Sequence, residues 1–204
     1  EIFRNIQDDL PLIKLKPWPS NYKAAISLRY DVDRQINTKT INELLKIQSE
    51  LINSPCGSWY YFSKDPSLDR QSKQLEAGWQ EIGLHHNNND DKCYGLGVSH
   101  HSSPQSRYWE GDNTSNFLAN KGALYGEFLA NNIQIPRIAL NINANKPLSD
   151  FWLLPLHFPL EGDTKGENLD YFEERLKYLK EIISLDGLVI IGSHPDIPSK
   201  LLKK

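Results

Sequence analysis

Apolar positions along the chain follow two alternating periods. Residues 24–30 run almost without polar interruption, as in a strand of a parallel sheet covered on both faces. Ser58-Trp59-Tyr60-Tyr61-Phe62 reads as an aromatic strand. Glu81-Ile82-Gly83-Leu84 and Gly95 to Ser99 are short strands by the same criterion. Pro136 to Ile142 and Phe151 to His157 are further candidates, and Leu188-Val189-Ile190-Ile191 is the last buried run.

Helical spacing fills the intervals. Ile41, Leu44, Leu45, Ile47 and Leu51 lie on one stripe. Asn37-Thr38-Lys39-Thr40 offers N-cap residues, Thr40-x-x-Glu43 fits a capping box, and Pro55 ends the run. Pro66 to Trp79 predicts a polar helix ending near Gly78. Asn113-Thr114-Ser115 predicts the start of a helix carried through Phe117, Leu118, Leu124 and Phe128. Leu169, Phe172, Leu176, Leu179 and Ile183 form the clearest stripe. The first 22 residues hold Leu10-Pro11-Leu12-Ile13 and Lys16-Pro17-Trp18-Pro19, dense enough in proline to favour an extended lead-in.

Strands alternating with helices predict an α/β fold with a mainly parallel sheet or barrel. No internal repeat, low-complexity tract or linker divides the sequence, so residues 1–204 are expected to form one domain. Only about a dozen residues separate His85 from the next strand, barely room for a parallel crossover. Either the crossover is irregular there or the sequence as given omits residues.

Composition narrows the function classes. The 204 residues are 39% hydrophobic and 24% charged, which is ordinary for a globular protein. A net charge of −3, with no basic run beyond Lys203-Lys204, gives no reason to expect a nucleic-acid partner. No apolar stretch approaches the ~18 residues of a membrane span, and no signal pattern opens the chain. Cys56 and Cys93 make neither a disulfide framework nor a CxxC site. A reduced, cytoplasmic protein is the simplest expectation, with a processed secreted form as the alternative.

The candidate chemistry begins where the first strand ends. Asp31 and Asp33, spaced i, i+2, place two carboxylates on one face of an extended backbone. Such a pair repels unless a metal or a shared proton sits between its members. The six histidines, His85, His86, His100, His101, His157 and His194, all fall in or just after predicted strand ends. In parallel α/β folds those ends form the rim that carries the site. Simpler readings stand beside this one. The aspartates could cap the next helix. His85, His157 and His194 could be hydrogen-bonded structural residues, and Trp59, Tyr60 and Tyr61 could be core. Trp109, in a polar stretch with Arg107 and Tyr108, is a candidate for stacking on a sugar.

These pieces resemble, in order, the NodB-homology polysaccharide deacetylases of carbohydrate esterase family 4, over roughly residues 18–196. Leu28-Arg29-Tyr30-Asp31-Val32-Asp33 looks like the first motif in an Asp-x-Asp form. Gly57 to Phe62 resembles the second strand, and Glu81-Ile82-Gly83-Leu84-His85 the Glu-Ile-Gly-x-His of the second motif. Gly97-Val98-Ser99-His100-His101 occupies the place of the third motif, Phe151 to Leu156 the fourth, and Val189 to His194 the last strand with its His.

The resemblance implies a distorted (β/α)7 barrel with a divalent metal, usually zinc, and hydrolysis of an acetamide on a carbohydrate. Mapped residue by residue, it implies Asp31 as general base, Asp33 and His85 as metal ligands, and His194 as the acid. The sequence departs from the pattern at one ligand. The family's second metal His lies four residues after the first, where this chain has Asn89, a poor zinc ligand. His86, Asp90 and His101 are the possible replacements. His101 is preferred because it comes from a separate strand end, and neighbours such as His85 and His86 point to opposite faces. The Arg-Pro of the third motif is replaced by His101-Ser102-Ser103-Pro104, leaving Ser102, Ser103, Arg107, Tyr108 and Trp109 as candidate substrate contacts. Two other outcomes are open: an inactive carbohydrate-binding barrel, and a hydrolase of a small cyclic amide.

Overall fold

Alternating strands and helices build one sheet with its helices outside. The computed structural model describes residues 22–33, 36–51, 57–62, 68–86, 95–100, 118–129, 136–141, 146–156, 158–159 and 169–195. In chain order these give β1 (Ala25–Val32), α1 (Thr38–Leu51), β2 (Gly57–Tyr61), α2 (Leu68–Ala77), β3 (Glu81–His86) and β4 (Gly97–His100). There follow β5 (Tyr125–Leu129), β6 (Arg137–Asn141), β7 (Lys146–Leu156), β8 (Phe158–Pro159), α3 (Leu169–Ser184) and β9 (Leu188–Ser193).

The strand order is β6-β7-β5-β4-β3-β2-β1-β9-β8. Every pairing is parallel except that of β6 on β7. β7 pairs with β5 through Trp152–Leu156, and Phe158-Pro159, one residue further on, pairs with β9. Residues 152–156 and 158–159 therefore lie between β5 and β9. With β7 and β8 taken together, seven parallel strands form a nearly barrel-shaped sheet among the described residues. β3 and β4 pair in parallel despite the short connection between them, most of which lies outside the described residues.

The outer face of the sheet is apolar where helices cover it. Tyr30 and Val32 of β1 pack with Ile41 and Leu44 of α1, Leu75 of α2, and Trp59 and Tyr61 of β2. The Tyr30 and Trp59 rings meet at 4.4 Å. A second cluster joins Leu84, Val98, Leu118, Ala123, Phe151 and Leu153; a third joins Leu179 and Ile182 of α3 to Val189. Several buried polar groups in this layer are paired. Gln80 Oε1 accepts from Gly57 N (3.0 Å) and Trp59 Nε1 (3.1 Å), and Tyr61 donates to Gln71 Oε1 (3.0 Å).

Two expectations about helices need correction. The cap of α1 is Asn37, not Thr40. Asn37 Oδ1 accepts from Thr40 N at 2.8 Å, which puts Thr40 inside the first turn, where its capping box with Glu43 has no role. The second correction concerns Leu124 and Phe128, read above as helical. Helical backbone stops at residue 120. Gly122 turns it off with φ +93°, Ala123 N bonds back to Leu118 O at 3.1 Å, and Leu124 N bonds to Leu96 O at 2.8 Å. The chain is thus handed to the sheet as β5. The other elements fall close to their expected ranges, with β1, β3, β7 and β9 extending further. The proline-rich lead-in lies outside the described residues. No helix among the described residues is long and apolar enough to cross a membrane.

Candidate active site

Alternation along β1 sends Tyr30 and Val32 outward to the helices and Arg29 and Asp31 into the barrel. Asp33, the next residue of that inward series, follows the strand directly. Gly83 and His85 of β3, Ser99 of β4, and Tyr125 and Glu127 of β5 come to the same interior. His194 follows β9, the other neighbour of β1. The C-terminal ends of β1, β3, β4 and β9 therefore meet at one rim.

His85 is the centre of the rim. Its Nε2 lies 3.0 Å from Asp33 Oδ1. On the other side of the ring, Nδ1 lies 2.7 Å from Ser99 Oγ and 3.4 Å from Asp31 Oδ1. Ser99 Oγ donates to Asp31 Oδ1 at 2.7 Å. His194 Nε2 lies 3.1 Å from Asp33 Oδ2. The Phe62 ring, 4.8 Å from the His85 ring, walls one side. His85 is buried, with 2% of its side chain exposed, whereas Asp33 and His194 keep 37% and 43%. The rim therefore faces solvent through Asp33 and His194.

Beneath the rim the interior is ionic. The Arg29 guanidinium sits between two carboxylates, pairing Nη1 with Asp31 Oδ1 and Nε with Glu127 Oε2 at 2.6 Å. Tyr60 donates to Glu127 Oε1 at 3.3 Å and lies 3.2 Å from the Tyr125 hydroxyl. Tyr125 donates to Glu81 Oε2 at 2.6 Å, and Ser58 donates to the same oxygen at 2.9 Å. Gly83 and Gly97 make room for these rings: a Cβ at Gly83 would come within 2.6 Å of the Tyr60 ring, and one at Gly97 within 2.3 Å of the Tyr125 ring.

Charges in this column shift in opposite senses. Burial works to raise the Asp31 carboxyl, but Arg29, His85 and Ser99 together outweigh it and hold it below its ordinary value. Burial is likewise the largest influence on Asp33, and it is overcome by hydrogen bonds from His194 and His85; the carboxyl ends well below the usual carboxylate range. Glu127 goes the other way. Burial pushes it up to about 7, with Arg29 opposing and Asp31 adding to the rise. One guanidinium between two buried carboxylates favours the ionised form of Asp31 over that of Glu127.

The sequence-derived candidates therefore divide. Asp31, Asp33, His85 and His194 are brought together. His101, Arg107, Tyr108 and Trp109 lie outside the described residues, as do Asn89, Asp90, Ser102, Ser103 and His157. His86 is buried in β3 next to His85, and Trp59, Tyr60 and Tyr61 are fully buried. Among the described residues no group of three or more His, Cys, Asp or Glu side chains is arranged so that it could hold a metal ion. Sequence reasoning missed Arg29, Ser99, Tyr60 and Glu127 as parts of the site. Arg29 and Ser99 carried a signal, since Arg29 precedes Asp31 by one strand period and Ser99 ends a strand. Glu127 carried none, because its segment looked helical. No family model matches the chain, and no curated protein matches its sequence.

Proposed function

We propose that the chain is a metal-dependent amide hydrolase on a distorted (β/α)7 barrel of the polysaccharide-deacetylase kind. The reaction proposed is removal of an acetyl group from the nitrogen of an amino sugar or a polysaccharide precursor. One observation carries this reading: two imidazole Nε2 atoms, from His85 and His194, converge on the single carboxylate of Asp33 at a half-open rim, with a second carboxylate, Asp31, behind His85.

The chemistry of the donors fits a divalent cation, because carboxylate oxygen and imidazole nitrogen are zinc ligands. Asp33 and His85 would hold the ion, with His101 the expected third ligand. When bound, the ion would supply Lewis acidity at the amide carbonyl and lower the pKa of water. Asp31, held ionised by Arg29, takes a proton from the attacking water. The water oxygen forms the new bond to the acyl carbon, and the C–N bond breaks. His194, exposed beside Asp33, gives the departing nitrogen its proton. The products are acetate and a free amine. Arg107, Tyr108 and Trp109 are the proposed sugar contacts.

Zinc content and product analysis test the reading together. The expected result is stoichiometric zinc in the wild type, lost in Asp33→Ala and in His85→Ala. Acetate should be released from N-acetylated amino sugars, with kcat down by ~10²–10⁴ in Asp31→Asn. A chain that takes no zinc, yet binds sugar unchanged after Asp31→Asn, would be an inactive carbohydrate-binding barrel. Turnover of cyclic ureides and not of acetylated sugars would move the hydrolase to a different amide.

A further inference from the structure

We infer that Glu127 is a positioning residue: acting through Arg29 from across the barrel, it sets the Asp31 carboxylate with Oδ1 held and Oδ2 left for the attacking water. The consequence for water rests on the proposed reading of Asp31 as the base; the bridge through Arg29 is a property of the chain's own side chains.

β2, β3 and β4 separate β5 from β1 in the sheet. At roughly 4.8 Å per strand that path is about 19 Å long, so Glu127 reaches Arg29 across the interior and not along the wall. Arg29 Nε lies 2.6 Å from Glu127 Oε2, and Nη1 pairs with Asp31 Oδ1. The guanidinium is thus held at two of its nitrogens. Its surroundings fit that placement. Gly192 of β9 stands beside Arg29 in the parallel register, and a Cβ there would come within 3.2 Å of Arg29 Nε. Arg29 Cζ lies 5.9 Å from the centre of the Tyr60 ring, and the Tyr60 hydroxyl donates to Glu127 Oε1 at 3.3 Å.

Glu127 supplies a charge that the Arg29–Asp31 pair does not need. Arg29 alone balances Asp31 one for one. A second carboxylate, 3% exposed, leaves the trio with an excess negative charge when it is ionised, which opposes folding. What it adds is a second anchor. A guanidinium held by one carboxylate can swing about that contact; held from two strands that face each other, it cannot. The effect reaches Asp31. Among the described residues, the contacts from Arg29, Ser99 and His85 all fall on Asp31 Oδ1. Oδ2 is the oxygen they leave. A general base needs such an oxygen in a fixed place. In the proposed reaction Oδ2 takes the proton from water as the water oxygen bonds to the acyl carbon.

Turnover of N-acetylated amino sugars by the zinc-loaded full chain tests the consequence. It is measured near pH 8.5, above the value to which burial pushes Glu127. Glu127→Gln keeps the shape and removes the charge. It is expected to lower kcat by ~10–10²-fold with KM unchanged. Added to Asp31→Asn, the same change should lower kcat no further, because the residues act as a unit. Arg29→Lys keeps the charge without the planar fork, and should lose kcat as Glu127→Gln does. Full kcat in folded Glu127→Gln or Arg29→Lys overturns the inference, as do losses that multiply in the double variant. The bridge is also read without substrate or metal. The two Nη nitrogens of an arginine give separate 15N signals when rotation about Nε–Cζ is slow. Those of Arg29, assigned by their loss in Arg29→Lys, are expected to be separate in the wild type and merged in Glu127→Gln. Merged signals in the wild type, or separate ones in Glu127→Gln shown by circular dichroism to be folded, overturn the bridge. If Glu127→Gln does not fold, the wild-type signals and Arg29→Lys still decide. Separate wild-type signals without any turnover would sink the proposed reaction and leave the bridge standing.

Discussion

The two faces of β1 obey opposite rules. Outward, Tyr30 and Val32 meet α1 and α2 in an apolar layer whose few polar groups are neutral amides and hydroxyls. Inward, Arg29 and Asp31 enter a column of ionised and hydrogen-bonded groups that runs from Ser58 and Glu81 up to Asp33 and His194. The outer face gains from removing carbon from water, which needs no exact partner. The inner face gains nothing from burial itself, since taking charge out of water costs several kcal/mol per ion unless geometry repays it. The inner face therefore depends on particular side chains at particular heights, and the outer face on volume. Within the column there is a second contrast. Tyr60, Arg29 and Glu127 lower in the column are buried, whereas the rim keeps Asp33 and His194 in contact with solvent.

The strongest way to break the comparison is to remove the inner cation. Arg29→Leu leaves Asp31 and Glu127 buried against each other without compensation. It is expected to cost about 3–5 kcal/mol in urea unfolding, the scale seen when one partner of a buried pair is lost. An outer-face change of Ile41→Val should cost only about 0.5–1.5 kcal/mol. Equal losses would mean that the column contributes no more than packing.

A smaller effect should appear as a slope with pH. The Glu127 carboxyl is faced by Arg29, Asp31, Tyr60, Tyr125 and Glu81, and it is pushed up from 4.5 to about 7 by burial. A raised carboxyl pKa means that the folded state binds the proton more tightly than the unfolded chain does. The associated stability is present below about pH 4.5 and is lost as pH rises through about 7. Asp31 and Asp33, both lowered, act in the opposite sense: their stability is present above the ordinary carboxylate value and lost in acid. Between pH 5 and 7, thermal melting should therefore fall by several degrees from the Glu127 contribution, and Glu127→Gln should flatten that slope. A slope that persists in the variant would assign it elsewhere.

The rim should respond least in stability. His194→Asn removes a 43% exposed side chain and is expected to change unfolding by within about 0.5 kcal/mol. Under the proposed reaction the same change should lower turnover by ~10² or more, because the leaving nitrogen loses its proton donor. A variant that keeps full turnover would remove His194 from the chemistry. One that unfolds the protein would place it with the column below.

Much of the fold was legible because it is written locally. The apolar run of β1, the aromatic run of β2, the stripe of α3 and the final strand β9 each repeat within a few residues, and backbone geometry reads such repeats without outside help. The short β5 was not legible. Leu124 and Phe128 continue a helical spacing from Leu118, and what turns the chain out of helix is Gly122 together with a hydrogen bond to Leu96, far away in sequence. The cap of α1 was not legible either: Asn37 and Thr40 both have capping side chains, and the bond from Thr40 N to Asn37 Oδ1 identifies Asn37 as the cap.

By itself, then, the sequence determined that strands and helices alternate, that Asp31 and Asp33 share one side of an extended backbone, and that histidines crowd strand ends. Tertiary structure alone decided that β7–β8 bridges β5 and β9, that Glu127 reaches Arg29, and that His85 stands between Ser99 and Asp33. Periodicity fixes which face a side chain takes but not its height or its neighbour. Those follow from strand register, and register is set by pairing between segments that are distant along the chain.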